Sequence, residues 1–105
     1  MTNEKFELLL EMRIEQIKSV LERKRSEYAS EDDNLHLFKR AAAMLATTPA
    51  DACMCFMAKH WASLSEIVIK AKNGYKTPQA VIDEKIGDAI CYLILLEALL
   101  KEGWG

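Results

Sequence analysis

The sequence predicts an all-α protein, a four-helix bundle forming one domain over its 105 residues. Three observations predict it. Apolar residues recur at three-, four- and seven-residue steps along most of the chain, the period of a helix with one buried face. Thr48-Pro49 and Thr77-Pro78 read as helix starts, since threonine offers a hydroxyl to free N–H groups and proline is preset for the first helical position. No stretch is rich in glycine or in β-formers, and no internal repeat or low-complexity segment interrupts the pattern.

Composition narrows the class. Half the residues are hydrophobic and 29% are charged, which is a globular balance. A formal charge of −2 supplies no basic field for nucleic acid. Asp88 and Glu97 bracket the longest apolar run, which falls short of the roughly 18–20 residues of a membrane span. Glutamates among the first leucines argue against a signal peptide. Cys53, Cys55 and Cys91 show no CxxC spacing and read as small buried thiols in a reducing compartment, so the expectation is a soluble cytoplasmic protein.

The first helix is expected over residues 4–28. Phe6, Leu10, Ile14, Ile17, Leu21 and Tyr28 form its inward stripe, and Lys24 falls on the same face, either snorkelling from the core or meeting an anionic ligand. Residues 29–34 are polar and acidic and read as a turn, with Asp33 or Asn34 capping the second helix. That helix is short, over 35–46, and carries Leu35, Phe38, Ala42 and Leu45; its three alanines at 41–43 permit close approach. The third, over 49–72, has the stripe Cys53, Met57, His60, Leu64, Ile67 or Val68, and Ala71, and ends at Asn73-Gly74. The fourth, over 78–102, has no charge between Ala89 and Leu96, so it is expected to be wrapped by the others.

Chemistry concentrates near the start of that last helix. Glu84 and Asp88 lie one turn apart and share a face; such a pair either binds a hard divalent cation or is a solvated acidic first turn. Glu27, Glu31, Asp32 and Asp33 would add oxygens if the first turn lies nearby, and Lys24 with Tyr28 would then neutralise a phosphate and position a base. His60 is either a core histidine satisfied by a hydrogen bond or a catalytic base.

Residues 83–93, DEKIGDAICYL, resemble the acidic helix of the all-α, MazG-like nucleoside triphosphate pyrophosphohydrolases. A second likeness, spanning about 20–102, is to small phage-encoded proteins related to nucleotide-modification-associated domains; it rests on Lys24 to Tyr28, Asp33 to Ala42, Lys59-His60 with Ser63, and the final helix. The resemblance implies an oligomeric bundle, dimer or tetramer, that uses Mg²⁺ (or Mn²⁺) to cleave a nucleotide between its α and β phosphates. By position Glu84 and Asp88 match its metal motif, Glu31 and Asp32 would complete the shell, Glu27 and His60 would be catalytic, and Lys24 and Tyr28 would hold the nucleotide. Lys85 stands where the family often has a second acid, and the family's earlier acid pair has no clear counterpart. The alternative is a non-enzymatic phage accessory scaffold, with Trp104 packing on a protein partner.

Overall fold

The computed structural model describes residues 1–25 and 33–105. Among these, four helices and no strand occur: α1 (Asn3–Arg23), α2 (His36–Leu45), α3 (Pro49–Lys72) and α4 (Gln79–Lys101). The protein is an all-α helical bundle.

Local chemistry sets the ends. Thr2 and Thr48 accept from the N–H groups of Lys5 and Asp51, each at 3.2 Å, capping α1 and α3, and Pro49 opens α3 as expected. Asp33 Oδ1 accepts from the Leu35 N–H and Oδ2 takes the Lys39 ammonium at 2.6 Å, which fixes the approach to α2. Gly74 and Gly103 sit at φ +83° and +85°, and behind each the chain returns its N–H groups to the last turn: Tyr75 to the Lys70 carbonyl and Trp104 to the Leu99 carbonyl, both at 2.9 Å. These are glycine caps in which a side chain would be strained.

α3 and α4 run antiparallel and form the central pair. The core lies between the first half of α3 and the last half of α4, sealed by α2: Leu35, Phe38, Ala50, Cys53, Met57, Leu95 and Leu99 form one buried cluster. Phe38 and Met57 are each 1% exposed, so truncating either to alanine would cost about 2–5 kcal/mol. The tail closes the same end. Trp104 O accepts from the Ala50 N–H at 3.0 Å, satisfying a free donor of α3, and Lys39 Nζ lies 4.3 Å above the indole. Trp104, expected to face a partner, is thus held intramolecularly while 40% exposed.

The arrangement departs from the expected bundle in several places. α1 ends at Arg23, with Lys24 as its C-cap, rather than continuing to 28; residues 26–28 lie outside the described residues. Among the described residues α1 fully buries none, and Phe6, Leu10 and Ile14 of its expected inward stripe are 52%, 43% and 55% exposed, because α1 packs mainly along α4 and only Leu21 reaches the core cluster. Leu93 and Ile94 are also exposed, so α4 is not wrapped along its apolar run, and Leu45, Val68 and Ala71 likewise face outward. Thr77 does not cap α4; Pro78 is the N-cap residue and no side chain bonds the helix start. Cys55 is exposed, whereas Cys53 and Cys91 are buried as expected. Among the described residues no single helix is long and apolar enough to cross a membrane; α2 and α3 pass that test only as a pair bent by 96°.

Candidate functional site

Gly87 is where α1 and α4 come together. A Cβ there would stand 2.8 Å from Arg13 Nη1, so the glycine leaves room for the guanidinium to cross α4. Arg13 Nη1 donates to the Asp83 carbonyl at 3.0 Å and to Gln16 Oε1 at 2.6 Å. This clamp lays α1 along α4 in the same direction and delivers the end of α1 to Asp88, one residue past the glycine.

Three elements therefore converge on Asp88. Lys24 Nζ, from the C-cap of α1, is 3.9 Å from Oδ1, and His60 Nδ1, from the middle of α3, is 3.9 Å from Oδ2. Both separations are ion-pair distances, too long for hydrogen bonds. The carboxylate thus keeps its lone pairs for a further partner. The His60 ring stacks at 4.8 Å and 39° on Tyr92, which meets Phe38 edge-on at 6.3 Å. Behind this wall lies a cavity of about 150 Å³ lined by Lys24, Lys59, His60, Asp88, Cys91 and Tyr92 among others.

The electrostatics of the cavity are cationic. Burial lowers the His60 pKa; Asp88 pulls it back, and Lys59, Lys85 and Lys24 push it down again. His60 is accordingly neutral at neutral pH, and the cavity wall carries the ammonium groups of Lys24 and Lys59 against the single carboxylate of Asp88. Nε2 is buried and has no hydrogen-bond partner, so His60 is not the satisfied core histidine that its position suggested. Burial raises the Cys91 thiol, with Asp88 adding to the shift, and burial alone pushes Cys53 up to about 11. Neither thiol is a nucleophile near neutral pH.

Of the residues singled out from the sequence, Lys24, His60 and Asp88 are brought together. Glu84 is not: it is exposed, and no hydrogen bond or ion pair ties it to a described residue. Glu27, Tyr28, Glu31 and Asp32 lie outside the described residues. Among the described residues no group of three or more His, Cys, Asp and Glu side chains is placed to hold a metal ion. What fits Mg²⁺ here is the single carboxylate of Asp88, suited to an ion that arrives on phosphate oxygens and keeps its waters. Lys59 and Lys85 were missed as site residues; the signal was their spacing, one residue before His60 and three before Asp88 on antiparallel helices.

The fold and site together define a class: a small helical bundle with an interhelical, cation-rimmed pocket around one carboxylate and one neutral imidazole. Compared with protein-family models, curated proteins and solved structures, the chain matches none.

Proposed function

We propose that the chain binds a phosphorylated nucleotide at the Lys24–His60–Asp88 pocket and hydrolyses it between the α and β phosphates. The observation that carries this reading is the cavity lining, where Lys24 and Lys59 stand with His60 against the single carboxylate of Asp88. Such a field suits an anion with several negative oxygens. A cavity of about 150 Å³ has room for roughly five waters, so it takes a phosphate or sugar portion while the remainder lies along the α3–α4 groove.

In the proposed reaction a water oxygen attacks the α phosphorus, the bond from that phosphorus to the bridging oxygen breaks, and pyrophosphate leaves. His60, in the tautomer that carries its own proton on Nδ1, accepts the water's proton at Nε2. Base catalysis of this kind contributes about 10²- to 10⁴-fold. Mg²⁺ carried by the phosphates would polarise them, with Asp88 as its ligand from the protein. Lys24 and Lys59 bind and orient the phosphates.

Release of pyrophosphate from a panel of nucleoside triphosphates, together with calorimetric binding, tests the reading. Asp88→Asn should lose Mg²⁺-dependent nucleotide binding with helicity unchanged, and His60→Asn should retain binding while losing turnover by about 10²-fold or more. Nucleotide affinity unaffected by Asp88→Asn and by Lys59→Gln would overturn it.

The second reading is a homo-oligomeric scaffold without turnover. The exposed apolar residues of α1 favour it.

A further inference from the structure

We infer that the outer face of α3 pairs with the same face of a second copy of this chain, the two helices running antiparallel. The inference rests neither on the nucleotide pocket at His60 nor on the apolar face of α1.

Among the described residues α3 packs against α2 and α4, and one side of it is turned away from both. Four large apolar residues stand on that side: Met54, Trp61, Val68 and Ile69 are 50%, 47%, 54% and 56% exposed. Cys55, Ala58, Ala62 and Ser65 lie between them and are exposed as well. Steps of three, four and seven residues place all of these on one face. A helix face in contact with water is ordinarily charged. This one carries no charge between Asp51 at its start and Lys72 at its end.

Turned end for end, the face complements itself. Counted outward from the bond between Trp61 and Ala62, Asp51 and Lys72 stand equally far, and so do Met54 and Ile69, Cys55 and Val68, and Ala58 and Ser65. An antiparallel pair centred on that bond sets each Asp51 against Lys72 of the second copy. It also sets each Trp61 indole over the methyl of Ala62, large against small. Ala58 and Ser65 flank the centre and let the two backbones approach, and every contact occurs twice about the two-fold axis. The Thr47 hydroxyl donates to Asp51 Oδ2 at 2.6 Å, which fixes the carboxylate at the edge of the face. A parallel pair would instead set Asp51 on Asp51, Lys72 on Lys72 and one indole on the other. Charge therefore selects both the partner and the direction.

The test uses the whole chain carrying Leu10→Glu and Ile14→Glu, so that association through α1 is read separately. Sedimentation should find this chain dimeric at micromolar concentration. Adding Ala62→Glu should weaken the dimer about a hundredfold, because two carboxylates then meet at the axis. Cysteine cross-linking reads the direction. Among the native cysteines only Cys55 is exposed. Antiparallel pairing puts it opposite Val68, thirteen positions along, so the two copies of Cys55 are about 20 Å apart and out of reach of a disulfide. Val68→Cys should give a covalent dimer under diamide, lost again on adding Cys55→Ser, while the chain without Val68→Cys stays uncrosslinked. Cross-linking of that chain as fast as Val68→Cys, or an association unmoved by Ala62→Glu, would overturn the pairing. So would a monomer at every concentration; if that monomer bound phosphatidylglycerol vesicles, and Trp61→Glu abolished the binding, the face would belong to a lipid surface instead.

Discussion

His60 reports on its surroundings through pH. Its folded pKa lies below 6.5 because burial and the charges of Lys59, Lys85 and Lys24 outweigh Asp88. A depressed pKa means that the unfolded chain takes up the proton first. Above pH 6.5 both states are neutral and this contribution is fully present; it is lost as pH falls from 6.5 through the folded value. Denaturant unfolding at a series of pH values should therefore show wild-type stability declining across that window relative to His60→Asn. Parallel curves for the two proteins would mean that the imidazole titrates as it does in the unfolded chain. The sequence put His60 on a buried stripe, but whether its nitrogens found partners depended on which α4 residues stood opposite. Asp88 came within 3.9 Å of Nδ1, and nothing came to Nε2. Lys24 was legible for the same reason that His60 was, by lying on its helix's stripe. Lys59 and Lys85 were not, because neither lies on a stripe and their charges reach His60 only once α3 and α4 are paired.

At the scale of elements, the α1–α4 contact rests on Gly87. Replacing it with alanine adds about 1 kcal/mol of helix propensity. The new methyl would also stand 2.8 Å from Arg13 Nη1 and displace a guanidinium that holds the Asp83 carbonyl and Gln16. Hydrogen bonds from a charged donor contribute about 1.5–3 kcal/mol each when well formed, so Gly87→Ala should destabilise by about 1–2 kcal/mol net. In an Arg13→Ala background the next neighbour is Gln16 at 3.8 Å, ordinary contact, and the same substitution should stabilise by about 1 kcal/mol. A double-mutant cycle by thermal unfolding checks the change of sign, and additive effects would show that the clamp carries no energy. Helix limits were legible to within a residue or two for α2, α3 and α4, because caps and prolines act locally. The expected end of α1 at residue 28 lies outside the described residues, which show a turn at Lys24 and helix again at Arg25. The cap at Thr77 also failed as a local signal, the side chain having turned into the α3–α4 corner.

For the whole molecule, the question is what covers α1. Phe6, Leu8, Leu9, Leu10, Met12 and Ile14 are all 43% exposed or more, and Ile82, Ile86, Leu93 and Ile94 of the neighbouring α4 are 37–44% exposed. Under the proposed homo-oligomer, a second copy would supply packing for α1 beyond what the described residues give it. Sedimentation should find a dimer or larger species at micromolar concentration, and Leu10→Glu with Ile14→Glu should yield a smaller species while the α2–α3–α4 core stays folded by circular dichroism. A wild-type monomer at every concentration would remove the reading.

The sequence by itself determined the helical class, three of the four helices nearly to the residue, and the stripe that becomes the core around Phe38, Cys53 and Met57. These follow from the 3.6-residue period and from caps that act within a few residues of chain. Only the tertiary structure decided that α1 packs along one side of α4, that Glu84 is exposed while Asp88 is half-buried, and that the charges of Lys59 and Lys85 reach His60. The physical reason is that a helix period states which residues share a face, whereas burial and charge depend on which helix that face meets.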